Sequence, residues 1–372
     1  MTNRAEAVVN LSAIKANVAT LKAKAGVDLM AVVKADAYGH GLVPVAKAAL
    51  EGGATWLGVA LLEEAITLRA AGVTAPILAW LVPPGSDFQS AVDNNIDVAV
   101  ASIKALDEVS AVKSSKRPRV HLEVDTGMTR GGFLDEWPKI DALHLHGVEI
   151  VGIFSHFARA DEPGQPQNLS QLNRFKKMVA SLESFGYPNL IRHLSNSAAT
   201  LVDEASSFDM VRTGIAMYGL SPDVKTLGTS KELGLTPAMT VRAKLHLVKK
   251  VPAGSPVGYG ATAVTESATK LGLVAMGYAD GIPRVAQKAG VSFLGKKAPI
   301  IGRVSMDQFV VDLGADSTAQ SGDWVTVFGS GADGEYTADD WGAASGSINY
   351  EIVTRIGPRV PRIYRSSSLT TE

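Results

Sequence analysis

Strand-like and helix-like segments alternate eight times over about the first 230 residues, and that alternation leaves very few folds open. Short apolar runs fall near 29–34, 56–60, 76–80, 97–100, 119–124, 148–154, 190–193 and 209–211. A helical pattern over 11–24 precedes them, and others lie between them, among them 62–71, 103–112 and 169–185. This repeat predicts an α/β fold, a (β/α)₈ TIM-type barrel. A doubly wound open sheet is the alternative. Its dinucleotide fingerprint is missing: Gly258-Tyr259-Gly260 is followed by Ala-Thr-Ala and lies too far along the chain.

The texture changes near Pro237. Residues 240–251 alternate, with Val241, Ala243, Leu245 and Leu247 set against Arg242, Lys244 and His246. Further short strands are expected near 270–277, 307–313 and 323–328, closely punctuated by Gly and Pro. The expected division is a barrel over 1–236 and a mainly β C-terminal domain over 237–372. Val8–Asn10 is too short to place and is free to pair with the second domain. The Ser/Thr-rich tail after 365 reads as frayed.

Composition excludes several functions. The net charge is −1 with no basic block, which speaks against nucleic acid and anionic membranes as partners. There is no cysteine, so disulfides, thiolate nucleophiles and Cys-ligated metals are out. Neither a secretory leader nor a membrane-spanning run is visible, so a soluble cytoplasmic protein is expected. Of 372 residues 46% are apolar, enough for a large core.

Barrel enzymes carry their chemistry at the C-terminal ends of strands. Lys34 sits at such an end, in Ala-Val-Val-Lys-Ala-Asp-Ala-Tyr-Gly-His-Gly (31–41). Desolvation there would lower its pKa and suit it to Schiff-base chemistry; a solvent-seeking strand-end lysine is the plainer account. Arg130 in Val-Asp-Thr-Gly-Met-Thr-Arg-Gly-Gly, His156 in Ile-Phe-Ser-His-Phe, Ser197 in His-Leu-Ser-Asn-Ser and Arg212 in Met-Val-Arg-Thr-Gly-Ile occupy equivalent places. An imine-forming lysine, several cations and Ser/Gly loops fit a pyridoxal 5'-phosphate (PLP) barrel. Taken singly, Arg130 reads as a surface residue and His156 as a satisfied core histidine.

Together these segments resemble the alanine racemases, PLP-dependent homodimers with a barrel followed by a β domain. The likeness spans nearly the whole chain. Its most specific pieces are 31–41, 124–130, 210–219, 258–261, 277–284, 302–308 and 348–351. The resemblance implies interconversion of L- and D-alanine, supplying D-alanine for cell-wall peptidoglycan. It implies that Lys34 carries PLP and acts as one base, and that Tyr259 from the partner subunit is the other. Arg212 would donate to the pyridine nitrogen. Tyr38, Ser197, Gly214, Ile215 and Tyr350 would hold the phosphate. Arg130 and the Met306 backbone would bind the substrate carboxylate, His156 would link Tyr259 to Arg212, and Tyr278 would narrow the entrance. Asp307 would fix its loop.

Racemisation removes a Cα proton from one face and returns one to the other, so one base per face is the simplest design. Tyrosine ordinarily keeps its proton at neutral pH and needs a cationic field to act as a base. Arg130, Arg212 and Lys34 would supply that field. A guanidinium keeps its own proton, so beside Arg212 the pyridine nitrogen stays unprotonated and the electron sink is weakened.

Two positions depart from the family pattern. Many members carry a carbamylated lysine seven residues before the arginine; here that position is Glu123, on the inward strand face with His121 and Asp125. Glutamate is already an anion, and it is expected to orient Arg130 directly or through water. The other is Ser305 before Met306, where many relatives have cysteine. It leaves the backbone motif intact.

The other candidates are weak. His144 and His146 form His-x-His without a third ligand nearby, so no metal is expected. Asp161-Glu162-Pro163 reads as loop-shaping. Alternatives to alanine are serine, lysine or a broad set of amino acids; Tyr278 and Tyr350 favour a small pocket. A non-catalytic PLP barrel, a PLP decarboxylase and a metal-dependent hydrolase fit progressively less well.

Overall fold

The computed structural model describes residues 3–140 and 145–366, so His144 and the end of the tail lie outside the described residues. The chain divides into two compact units. One comprises Ala13–Ala37 and Leu42–Thr236; the other comprises Met1–Ser12, Tyr38–Gly41 and Pro237–Glu372.

The first strand, β1 (Ala5–Asn10), belongs to the second unit. The next eight form the barrel: β2 (Asp28–Val32), β3 (Trp56–Val59), β4 (Ile77–Ala79), β5 (Asp97–Val100), β6 (Arg119–Glu123), β7 (Glu149–Phe154), β8 (Ile191–His193) and β9 (Met210–Thr213). They pair in parallel in the order β8-β7-β6-β5-β4-β3-β2-β9. The last seam is bridged by backbone bonds from Asp209 N–H to Arg192 O (3.1 Å) and from Arg212 N–H to Ser195 O (3.0 Å). All eight expected strands are present, shifted by a few residues at their ends.

Inside the barrel Met30, Trp56, Leu78, Ala99, Val151, Phe154 and Met210 form one apolar cluster. Outside it, the helix Pro166–Ser184 begins with proline, which fits the first turn because its missing N–H has no partner there anyway. The helix buries Gln171, Leu172, Phe175, Val179 and Leu182, a stripe of helical period. Each large apolar side chain so buried contributes roughly 2 kcal/mol.

In the second unit β10 (Met239–Val251) pairs antiparallel with β1, and β1 pairs in parallel with the terminal strand Arg362–Arg365. Val8 and Asn10, unplaced by sequence, thus lie in this sheet. The strands Thr269–Val274, Phe309–Asp312 and Trp324–Phe328 match expectation. The hairpin Gly290–Phe293 with Lys296–Pro299 and the helices Ala338–Ser345 and Asn349–Thr354 were not foreseen. Lys297 there pairs with Asp340 (3.3 Å) and lies over the Tyr336 ring. No helix among the described residues is long and apolar enough to cross a membrane.

Candidate active site

Strand β2 stops at Val32, so Lys34 is not its last residue as expected. Lys34 opens a left-handed turn instead, with Ala35, Asp36, Ala37 and Tyr38 all at φ of 53–54°. Each such non-glycine residue costs about 1–2 kcal/mol, so the turn persists only if it is held from outside. Two carboxylates hold it. Asp36 accepts from Leu42 N–H at 2.7 Å. Glu64 accepts from Ala35 N–H at 2.6 Å with one oxygen, and from Ala60 and Leu61 N–H at 3.0 Å with the other. The Lys34 amine lies 5.9 Å from the centre of the Trp80 ring. Burial, with Arg130 adding, lowers its pKa from the ordinary value of 10.5, while Glu64 opposes. A lysine so placed is primed as a nucleophile.

Arg212, on β9, is buried and donates in every direction. Its NH1 gives hydrogen bonds to His193 O (2.6 Å) and His193 Nδ1 (3.2 Å). Its NH2 reaches Ser155 O (2.7 Å), His156 Nδ1 (3.1 Å) and Leu194 O (3.3 Å). The Phe154 ring lies beneath it, 5.3 Å away. Burial lowers Arg212 to about 10, so it stays charged at neutral pH; Glu123 raises it and Arg130 lowers it further. A guanidinium cannot accept, so His156 Nδ1 must be unprotonated. Consistently, burial and then the charges of Arg212, Arg130 and Lys34 push His156 down to about 3.

Arg130 lies on a loop after β6 that folds tightly back. Asp125 Oδ1 accepts from Gly127, Met128 and Thr129 N–H at 2.8, 3.1 and 3.1 Å, and Phe133 N–H returns to Glu123 O at 2.8 Å. The loop thereby fixes where the arginine emerges. Glu123 forms no direct ion pair with Arg130 among the described contacts. Its carboxyl is raised by burial, against the lowering fields of Arg212 and then Arg130. The anion therefore faces two arginines, Arg212 more strongly.

Ser197 opens the helix Ser197–Val202, capped by Asn196, whose side chain accepts from Ala199 N–H. Its hydroxyl accepts from Gly214 N–H at 2.8 Å and faces Ala216 N–H at 3.4 Å. Ser197, Gly214 and Ile215 thus form a small polar cradle at the end of β9. The barrel unit by itself brings together Lys34, Glu123, Arg130, His156, Ser197, Arg212, Gly214 and Ile215. A cofactor with a phosphate, a basic ring nitrogen and an aldehyde fits this donor set. Loop-shaping is visible at 161–163 too, where Glu162 pairs with Arg159 at 2.5 Å.

The second unit carries the remaining candidates. Tyr38 and Tyr350 have ring centroids 6.3 Å apart, and burial pushes the Tyr38 hydroxyl well above its ordinary range. Tyr259 follows Gly258 in a short turn and is 72% exposed. Tyr278 and Met306 lie on two loops joined by Tyr278 N–H to Ser305 O (3.1 Å) and Ala279 N–H to Met306 O (2.9 Å). Gly277 permits that approach: a Cβ there would lie 2.3 Å from Met306 O. Asp307 holds Arg359 at 2.7 Å. The buried Asp280 pairs with Arg359 (3.2 Å) and Arg4 (2.6 Å) and accepts from Gly277 N–H. Asp280, Arg4 and Arg359 escaped sequence reasoning because their partners lie on distant segments, and the loop-holding roles of Glu64 and Asp125 escaped it because their backbone donors lie on irregular turns. Among the described residues no cluster of three or more His, Asp or Glu side chains could hold a metal.

Comparison with known proteins agrees with this geometry. Residues 9–222 match the family of the alanine racemase N-terminal domain, and residues 238–364 that of its C-terminal domain. The alanine racemase of Beutenbergia cavernae is 52% identical, with 98% of each chain covered. That of Salinispora tropica is 50% identical over 97% of this chain and 98% of its own. The crystal structure of alanine racemase from Streptomyces lavendulae superposes with a TM-score of 0.95 at 49% identity, covering 99% of this chain and 98% of that one. That from Bacillus anthracis with bound L-Ala-P gives 0.89 at 39% identity, covering 98% and 96%. With both domains matched and half of all residues shared along its length, the chain belongs to the alanine racemase family.

Proposed function

We propose that this chain interconverts L- and D-alanine with PLP, as a homodimer. The observation that carries the reading is the placement of Lys34, with its lowered pKa, in one charged cluster with Arg212 and Arg130 at the strand ends of a family barrel. When bound, PLP supplies an electron sink that acidifies the Cα–H of an attached amino acid. Lys34 holds the cofactor and moves a proton at its Nζ on one face of Cα. Tyr259 of the partner subunit moves a proton at its hydroxyl on the other. Arg212 donates to the pyridine nitrogen and withholds a full proton from it. Ser197, Gly214 and Ile215, with Tyr38 and Tyr350, hold the phosphate.

Arg130 and the Met306 backbone N–H bind the substrate carboxylate. Tyr278 restricts the pocket to a small side chain, and Asp307 keeps the Met306 loop in shape. His156 accepts from Arg212 and links it to Tyr259. Glu123 serves as the anion that balances Arg212 and Arg130, acting on Arg130 across space rather than by a direct pair. D-Alanine so formed would feed cell-wall peptidoglycan.

Cα-deuterium exchange in each alanine enantiomer tests the assignment. Lys34→Ala and Tyr259→Phe should each lose exchange most severely with a different enantiomer. Equal losses with both would refute the division of labour. Dilution below the dimer dissociation range should abolish turnover, and full activity of the monomer would refute the shared site.

A further inference from the structure

The barrel interior holds more ionisable groups than the reaction uses, and they form a line. Arg212 can only donate, so His193 Nδ1, 3.2 Å from its NH1, must be an acceptor. The His193 proton then sits on Nε2, which lies 2.9 Å from His121 Nδ1. That nitrogen must accept in turn, which places the His121 proton on Nε2. His121 Nε2 has no well-aligned hydrogen-bond acceptor; its neighbour is Asp97 Oδ2 at 3.4 Å. Every N–H in the line therefore points away from Arg212 and toward one buried carboxylate.

The line is built rather than incidental. Asp97, His121 and His193 are all buried. Phe154 stacks flat on His193, with centroids 4.9 Å apart and planes 12° apart, and Trp56 meets His121 edge-on at 5.4 Å. Gly152 leaves the space that His121 fills: a Cβ there would lie 2.6 Å from His121 Nδ1. At the far end Arg119 grips Asp97 with two bonds, of 2.9 and 3.1 Å, and pairs with Glu149 at 2.7 Å. His193 is held neutral, chiefly by burial and then by Arg212 and His121. Burial alone would raise Asp97, but His121 and Arg119 hold its carboxyl below the ordinary range.

We propose that Asp97 is a positioning residue for Arg212, acting through His121 and His193 to fix the guanidinium plane and stabilise its charge. The inference rests on the reading that Arg212 faces the cofactor's pyridine nitrogen. Asp97→Asn is the informative change. An asparagine presents one acceptor and one donor, while Arg119 donates to this position and the His121 Nε2–H faces it at 3.4 Å. If its amide faces His121, both histidine tautomers must reverse. His193 Nδ1–H would then meet Arg212 N–H, donor against donor.

The test uses the PLP-loaded enzyme with ¹⁵N-labelled histidine. In the wild type, both buried histidines should carry their proton on Nε2; a protonated Nδ1 on His193 would overturn the line. Asp97→Asn should lower kcat in both directions by about tenfold, leave KM for alanine within about twofold, and shift the cofactor's absorption band in the same sense as Arg212→Gln. Arg119→Gln loosens Asp97 without breaking the line and should keep kcat within about twofold even where stability falls. A kcat loss that simply follows stability across the two variants would make the network structural only and sink the proposal. If Asp97→Asn fails to accumulate, His121→Phe breaks the same link, and wild-type kcat for it refutes the relay. Arg212→Gln separates the layers. Unchanged turnover there removes the underlying reading, whereas loss there with wild-type behaviour in Asp97→Asn removes the relay alone.

Discussion

The barrel end and the β unit present their candidate catalytic groups in opposite ways. Arg212 is 6% exposed, and both its terminal nitrogens are engaged by neighbours on the same unit. Tyr259 is 72% exposed and Met306 53%. Both are presented on loops whose backbones are fixed while their side chains stand free of burial. The barrel half is thus preorganised by its own chain. The β half offers groups that gain a dry environment only when something covers them, and a second copy is the proposed cover. Preorganised charge is worth most where water is excluded, so the two halves should fail differently when damaged.

The largest effects should fall on Lys34 and Tyr259, the two residues proposed to move protons. Lys34→Ala should cost on the order of 10⁴-fold in turnover, and Tyr259→Phe on the order of 10³-fold. The contrast lies in folding. Tyr259→Phe removes one hydroxyl from an exposed ring and should leave the unfolding midpoint unchanged. Lys34→Ala removes a charge that opposes Arg130 and should leave stability equal or slightly higher. A large stability loss in either, measured by denaturant titration, would break the separation between chemistry and scaffold.

Asp280 should show the reverse behaviour. It is fully buried, while its partners Arg4 and Arg359 keep 37% and 45% of their side chains exposed. Removing one partner from a fully buried pair costs about 3–5 kcal/mol, and solvent screening at the arginine ends reduces that to about 2–3 kcal/mol. Asp280→Asn should lower the urea midpoint accordingly and loosen the Tyr278 and Met306 loops, raising KM for alanine. An unchanged midpoint would show that the arginines re-pair elsewhere.

A third contrast is in pH. His156 has an ordinary pKa of 6.5 and a folded value of about 3. Below pH 6.5 the unfolded chain takes a proton that the folded chain refuses, so stability is lost as pH falls from 6.5 toward 3. At pH 5 the loss from this group is about 2 kcal/mol. His193, lowered chiefly by burial and then by Arg212 and His121, adds in the same direction. His156→Asn keeps an acceptor for Arg212 and should recover about 2 kcal/mol of the acid destabilisation between pH 7 and pH 5, relative to wild type. Parallel stability curves for the two proteins would contradict a neutral His156.

Legibility in the sequence followed the same divide. The eight barrel strands were readable because short apolar runs between helical periods have one common solution. Lys34 was readable as a strand-end lysine, but the left-handed turn that presents it was not. Four successive non-glycine residues at positive φ have no local signature, and Glu64 and Asp36 hold them through contacts made only after folding. Strand parity placed His121 and Glu123 inside the barrel, yet nothing local connected His121 to His193 or Asp97. In the β unit the long strand Met239–Val251 was legible by alternation. The hairpin at 290–299 and the two late helices were too short for a period to register. The seam between Gly277 and Met306 depends on backbone approach, which leaves only a glycine as its trace.

The smallest expected effect probes the barrel side at its most unusual residue. Glu123 stands among Arg212, Arg130 and Asp125, and its carboxyl is raised by burial although both arginines favour the anion. Because Arg212 is its stronger neighbour, Glu123→Gln should do more than release Arg130. Loss of the anion also removes the field that supports the Arg212 charge. Without a direct Glu123–Arg130 pair, the cost is that of one screened charge interaction, about 1 kcal/mol. KM for alanine should rise about fivefold through Arg130, and kcat should fall by a smaller factor through Arg212. Glu123→Lys in the presence of bicarbonate restores an anion only if the lysine is carbamylated, so its recovery should depend on dissolved carbon dioxide while wild type stays indifferent. A Glu123→Gln enzyme with wild-type kinetics would leave the three backbone bonds to Asp125 and the Phe133 N–H to Glu123 O bond to set where Arg130 emerges.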